Sequence, residues 1–230
     1  MAALAILYDV HGNLPALEAV VADARAAGAE RFVLGGDYAL FGPFPADTVA
    51  ALRALDHADW IRGNVDRWTA HPDQAPDDEL VQGAIEACRD GLGGETVRAL
   101  DALPEQLVLD GVCYCHASPV SDMRSFMPEA GDDDDELLEG VSERRVVFGH
   151  THLQFRRVRH DGIELVNPGS VGIPMDGDRR AAYALLGSRG QLELRRVDYD
   201  SGPSIVALQE RYGGAAWAER SARRIETGQP

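Results

Sequence analysis

The chain has no lysine: all 22 basic residues are arginine. Without lysine there can be no P-loop, whose lysine reaches the β/γ-phosphates, and no Schiff-base chemistry. Cysteine is nearly as scarce. The three present, Cys88, Cys113 and Cys115, cannot form a disulfide framework, and the last two sit two residues apart on one face of a strand, a spacing that does not bridge. No apolar run approaches the length of a membrane span, and the opening MAALAILYDV lacks both the basic start and the small-residue cleavage site of a signal peptide. These absences set the expectation of a cytoplasmic protein without a membrane partner. Positive charge is also short. A formal net charge of −16 with no basic stripe argues against long nucleic acid as the partner, because a phosphate backbone needs such a stripe.

The 230 residues are 45% apolar, ample for one large core, and no linker divides them. The expected organisation is a main domain over residues 1–200 and a helical tail over 201–230 packed on it. Apolar runs at 3–8, 31–34 and 58–62 read as strands, with helical periodicity over 14–24 and 46–55 between them. This is a βαβαβ pattern, so a parallel sheet with its ligands at the carboxyl ends of the strands is expected. Residues 77–102 read as helix, with a break at Gly91-Leu-Gly-Gly. The second half reads as strands at 106–109, 112–115, 145–148, 154–159, 163–166, 181–186 and 191–197, joined mostly by hairpins. Four consecutive aspartates, Asp132 to Asp135, read as a solvated loop or a helix start and lack the alternation and glycine of an EF-hand. In the tail, Ile205, Leu208, Tyr212 and Trp217 form an apolar set that docks on the domain or on a second copy of the chain.

Just past the strands stand Asp9-Val-His11, Gly36-Asp37, Gly63-Asn64, His116 and Gly149-His150-Thr-His152. Carboxylates, imidazoles and an amide gathered from separate strand ends suit a two-metal hydrolytic centre. Asp9 and His11 can reach one ion with Val10 turned away. Asp37, with two carboxylate oxygens, can bridge two ions roughly 3.5–4 Å apart. Asn64 supplies a neutral oxygen where another carboxylate would overload the site. The neighbouring glycines let the backbone turn close to the ions. A mixed oxygen and nitrogen set without thiolate favours Mn, Fe or Zn over Ca.

In this order, and with Asn167-Pro-Gly-Ser170 following, the fragments resemble the calcineurin-like metallophosphoesterases, in particular the small bacterial and archaeal phosphodiesterases of the YfcE type. The likeness runs over about residues 4–200. It implies an α/β (α+β) fold, a four-layer sandwich of two mixed β-sheets flanked by helices, with a dinuclear metal site at the strand carboxyl ends. By position, Asp9, His11, Asp37 and His152 would hold one ion, and Asp37, Asn64, His116 and His150 the other. The cofactors implied are two divalent transition-metal ions, Mn foremost, with Fe, Zn or Ni as alternatives. Asp37, Asn64 and His116 would be catalytic, and Asn13, Asn64, Asn167 and Ser170 would orient the phosphate. Asp66 would stand behind the ligands, fixing the 63–64 turn or a ligand histidine.

The implied activity is hydrolysis of small or nucleotide-type phosphodiesters by metal-bound hydroxide. Alternatives are a phosphomonoesterase acting on nucleotides or phosphoproteins, a nuclease limited to short oligonucleotides or cyclic nucleotides, and a catalytically weak metal-binding scaffold. A small phosphoester is the expected substrate, and a homodimer stays open. Two departures stand out. The family commonly places a histidine after the asparagine to contact phosphate and assist the leaving group, and here that residue is Val65. Tyr8 replaces a common serine and is expected to narrow the mouth of the site.

Overall fold

A computed structural model describes residues 3–188 and 190–230. Its strands are β1 (Ala3–Leu7), β2 (Ala29–Leu34), β3 (Ala58–Trp60), β4 (Gln106–Leu109), β5 (Val112–Cys115), β6 (Arg145–Val147), β7 (Phe155–Val158), β8 (Glu164–Asn167), β9 (Ala181–Leu186) and β10 (Leu192–Val197). They form two five-stranded mixed sheets, ordered β10-β9-β1-β2-β3 and β4-β5-β6-β8-β7. The helices are α1 (Leu14–Ala26), α2 (Pro45–Arg53), α3 (Asn64–Ala70), α4 (Glu79–Asp101), α5 (Asp134–Leu137), α6 (Gly202–Tyr212) and α7 (Ala216–Thr227).

The two-residue side-chain period of a strand separates the layers. In β1, Leu4 and Ile6 face the second sheet, with Val112, Tyr114, Val147 and Val166 opposite them. Ala5 and Leu7 face the other way, into a larger cluster built with the helices. In β5 the same alternation sends Cys113 and Cys115 outward, under Phe126, Leu137 and Phe148. That outer flank is covered by the chain between β5 and β6 with its short α5. Tyr8 extends the inter-sheet layer, and its hydroxyl donates to the Val147 carbonyl at 3.0 Å. It thus ties the two sheets together and, contrary to the sequence expectation, does not line the mouth of the site.

The second half is less dominated by hairpins than its strand spacing suggests. β4–β5, β7–β8 and β9–β10 pair antiparallel, but β5, β6 and β8 run parallel. The segment from 116 to 144 is long enough for the crossover that parallel pairing needs. The consequence is functional: β1, β2, β3, β5 and β6 all end at the same edge of the sandwich. α4 kinks at Gly93, where φ is 73°, the place where the glycine run predicts a break. In the aspartate run, Asp134 is buried and ion-paired with Arg157 at 2.8 Å, so it anchors α5 rather than being solvated. In the tail, Leu208 and Trp217 are buried in the helix-side cluster, with Ile205 and Tyr212 packed at its edge. Among the described residues no helix is long and apolar enough to cross a membrane.

Candidate metal centre

Each strand that ends at this edge delivers its fragment within a few residues. The result is two clusters of potential ligand atoms, each within 4.8 Å of one another: Asp9, His11 and His152, and Asp37, His116 and His150. Asp37 joins them. Its Oδ2 is 3.3 Å from His116 Nε2 and 3.8 Å from His11 Nε2. Asn64 completes the second cluster, with its Oδ1 2.9 Å from both His116 Nε2 and His150 Nδ1. The two histidines of the 149–152 loop therefore serve opposite clusters, while Thr151 between them accepts a hydrogen bond from Asn167 Nδ2.

The backbone around these groups is under strain. Eight described non-glycine residues have positive φ, and five of them are Asp9, His11, Asp37, His150 and His152. Left-handed backbone costs an ordinary residue roughly 1–2 kcal/mol, and such cost is characteristically stored at functional sites. The flanking glycines act differently from one another. Gly12 and Gly36 adopt positive φ, as the sequence suggests. Gly63 and Gly149 are required by close approach, since a Cβ there would lie 2.0 Å from Asp37 Oδ1 and 2.5 Å from Asp9 Oδ2.

Three imidazoles are oriented by backbone carbonyls. His11 Nδ1 donates to Leu40, His116 Nδ1 to Gly35 and His152 Nδ1 to Ile173. A carbonyl only accepts, so each Nδ1 carries a proton and each Nε2 faces the site, as metal-binding histidines are commonly arranged. His11 Nε2 and His152 Nε2 then stand 3.1 Å apart, and burial pushes the proton affinity of both rings down. Two bare lone pairs at that distance repel unless a cation lies near them. Asp9 makes the same point. Its Oδ2 accepts from the His150 N–H at 3.0 Å, but its Oδ1 is sealed from solvent without a partner. A buried carboxylate oxygen left unmatched is costly, and a divalent ion would satisfy it. The residues fit a pair of metal ions.

In the second cluster the charges are coupled. Burial disfavours the Asp37 carboxylate, but the charge and hydrogen bond of His116, then His11 and His150, outweigh it and hold Asp37 well below the usual range. Burial likewise opposes a proton on His116, but Asp37 and Asp9 lift its pKa to about 10. His150 falls to about 4 through burial and the His116 charge. Without a cation, then, His116 carries a proton at the position a ligand lone pair should occupy. Burial also raises the Asp9 pKa, so metal loading at pH 7 should release protons, and affinity should rise with pH as that competition weakens. Calorimetry in buffers of different ionisation enthalpy measures the release. An absence of proton transfer to buffer would remove His116 from the ligand set.

Asp66 stands behind both clusters. Its Oδ2 accepts from the amides of Asp37 and Gly63 at 2.9 Å, and its Oδ1 from that of Tyr38 at 3.2 Å. One carboxylate therefore clamps the loops after β2 and β3. Burial, then the Asp37 charge, push its pKa up to about 7 against these three amides. An asparagine would turn an NH2 group toward donors. Asp66→Asn should cost about 2 kcal/mol, in the range for a buried donor left unpaired, and should lower metal content. A denaturation midpoint and metal content both equal to wild type would show that the clamp is dispensable.

The other expected phosphate ligands are used internally. Asn13 caps α1 by accepting from the Ala16 N–H, donates to the Gly172 carbonyl and Tyr199 hydroxyl, and accepts from Ser204. Asn167 donates to the Gly149 carbonyl and Thr151 hydroxyl and accepts from the Gly169 N–H. Ser170 donates to the Asp9 carbonyl and accepts from the Ile173 N–H. These residues shape the loops that carry Asp9, His150 and His152, and their polar atoms are already engaged. Of the four, Asn64 alone faces the clusters. It also opens α3, an element absent from the sequence reading. The signal for it was Asp66, an acid in a first helical turn, where a negative charge is favoured.

A sequence model described as the calcineurin-like phosphoesterase superfamily domain matches residues 3–190. The chain belongs to this superfamily. It is thereby a phosphoric ester hydrolase by family, and its likeness within the family is to the YfcE-like branch. The phosphodiesterase YfcE of Escherichia coli K12 is 29% identical over 196 residues, covering 81% of this chain and 88% of YfcE. The uncharacterized protein MJ0912 of Methanocaldococcus jannaschii is 28% identical over 220 residues, covering 86% of this chain and 88% of that protein. In fold, the crystal structure of a metallophosphoesterase from Sphaerobacter thermophilus superposes with a TM-score of 0.83, 98% coverage of both chains and 24% identity.

Proposed function

We propose that the protein is a dinuclear metal-dependent phosphodiesterase of small or nucleotide-type substrates. The observation that carries this reading is the meeting of the two ligand clusters at Asp37. Asp9, His11, Asp37 and His152 would hold one ion, and Asp37, Asn64, His116 and His150 the other, with Mn the first candidate. Two such ions make water nucleophilic near neutral pH and neutralise phosphoryl charge.

The chain supplies the remainder. His150 is half-buried while Asp9, His11, Asp37, Asn64, His116 and His152 are buried, so substrate approaches from the His150 side. That side is flanked by Asp122, whose charge is felt at His150 and which is paired with Arg67 at 2.7 Å. The residue after Asn64 is Val65, and its N–H donates to Asp37 Oδ1 at 3.1 Å. The side chain offers nothing to a leaving group, which favours diesters with stable leaving anions over alkyl monoesters.

A cytoplasmic location belongs to the same reading, supported by three free, buried cysteines. A homodimer is left to a measurement of solution mass. The test of function is a panel of phosphomonoesters and diesters assayed after Mn loading and after chelation. Metal-dependent cleavage of diesters in preference to monoesters is expected. Metal-loaded protein that cleaves neither would leave only a metal-binding scaffold of the same fold.

A further inference from the structure

Helix α7 lies beyond the residues matched to the family, yet one of its faces turns toward the metal centre. Trp217, Arg220, Ser221 and Arg224 line a cavity of about 230 Å³, together with Phe41 and Leu80. Phe41 links this cavity to the centre. Its ring centroid is 6.0 Å from that of His11, and its backbone is held at φ 74°, an outlier for a bulky residue.

Arg224 is unusual in this chain. It is half-buried, and its Nε is sealed from solvent with no hydrogen-bond partner among the described residues. Burial and the adjacent Arg220 both disfavour its charge. Acids outnumber arginines by 38 to 22, but among the described residues neither Arg220 nor Arg224 has an ion-pair partner. Asp78, the carboxylate that lines the same cavity, is engaged in capping α4 through the Leu80 and Val81 amides. A half-buried guanidinium without an ion-pair partner among the described residues, beside a second guanidinium one helical turn away, suits a multivalent oxyanion.

We infer that Arg224, assisted by Arg220, binds a second, non-scissile phosphate of the substrate, with Phe41 separating it from the phosphate at the metal centre. This deepens the phosphodiesterase reading and rests on it for the placing of the scissile group. Two guanidinium groups match the charge of a terminal phosphate better than that of a single carboxylate. The substrate class is accordingly a phosphodiester that also carries a terminal phosphate, of the phosphorylated dinucleotide kind, for which a nucleoside bisphosphate serves as a binding probe without the scissile diester.

Calorimetric titration of the metal-loaded protein with adenosine 5′-monophosphate and adenosine 3′,5′-bisphosphate tests this without turnover. Wild type should bind the bisphosphate about tenfold or more tightly than the monophosphate. Arg224→Gln, which keeps the side-chain stem, should reduce that ratio to near one, and Arg224→Lys should restore part of it. Arg220→Ala, at an exposed position, should lower the ratio severalfold and serves if the Arg224 variants do not fold. Arg25→Ala, at an exposed position of α1 that does not line the cavity, should leave it unchanged. A wild-type ratio near one, a ratio unmoved in folded Arg224→Gln, or no binding of the bisphosphate would overturn the assignment. Diester cleavage persisting alongside such a result would show that the phosphodiesterase reading survives and only the Arg224 role fails.

Discussion

Asp37→Asn is expected to lose most of its bound metal and, with it, nearly all phosphoesterase activity. The carboxylate sits between His116 and His11, and its charge is strongly held by the histidines around it. Asparagine keeps the size but removes the negative charge both ions would share. Its amide also has one acceptor oxygen where the carboxylate has two. The Val65 N–H now bound by Oδ1 and the cations would compete for that oxygen. Elemental analysis should show both ions reduced in parallel, and activity should fall by several orders of magnitude even with Mn in excess. Loss of one ion with full retention of the other would show that Asp37 belongs to a single site and does not bridge.

The second large effect concerns the leaving group. At the position after Asn64 the chain carries Val65, buried in the helix-side apolar cluster. The nearby Asp66 is occupied by three backbone amides, and Asp122 by Arg67. Neither carboxylate is free to protonate a departing oxygen. General acid help is typically worth about 10²–10⁴ in rate, so its absence should appear as a steep dependence of rate on leaving-group pKa. Aryl diesters should be cleaved far faster than alkyl monoesters. Val65→His should flatten the dependence and raise monoester hydrolysis if the ring turns from the apolar cluster toward the site. Rates for a graded series of aryl esters, with a crystal structure of the variant, make the comparison. Equal slopes with the ring facing the site would clear Val65 of any part in substrate preference.

The ligand fragments were legible because each combines a strand end with a residue type that has a metal-binding use. The strands 106–109, 112–115 and 181–186 coincide with β4, β5 and β9, since short apolar runs between turn residues leave little freedom in their boundaries. What stayed hidden depends on contacts far apart in sequence. Asn13 and Ser204, which share a hydrogen bond at 2.8 Å, are 191 positions apart, and no local pattern distinguishes a cap from a phosphate ligand. Tyr8 could face the site or the sheets until the register with Val147 was known. Gly63 and Gly149 read as glycines that let the backbone turn close to the ions, and the structure gives the reason as the close approach of Asp37 and Asp9 to the backbone. Arg224 lacked any motif. Its proposed role rests on the lack of an ion-pair partner among the described residues, which only the folded chain displays.

The central claim is that Asp9, His11, Asp37, Asn64, His116, His150 and His152 hold two ions joined by Asp37. Anomalous diffraction from Mn-loaded crystals, collected on both sides of a metal absorption edge, tests it most directly. The account predicts two anomalous peaks per chain, one beside Asp9, His11 and His152 and the other beside Asn64, His116 and His150, with the Asp37 carboxylate between them. A single peak, or peaks that leave Asp37 outside the coordination of either ion, would contradict it.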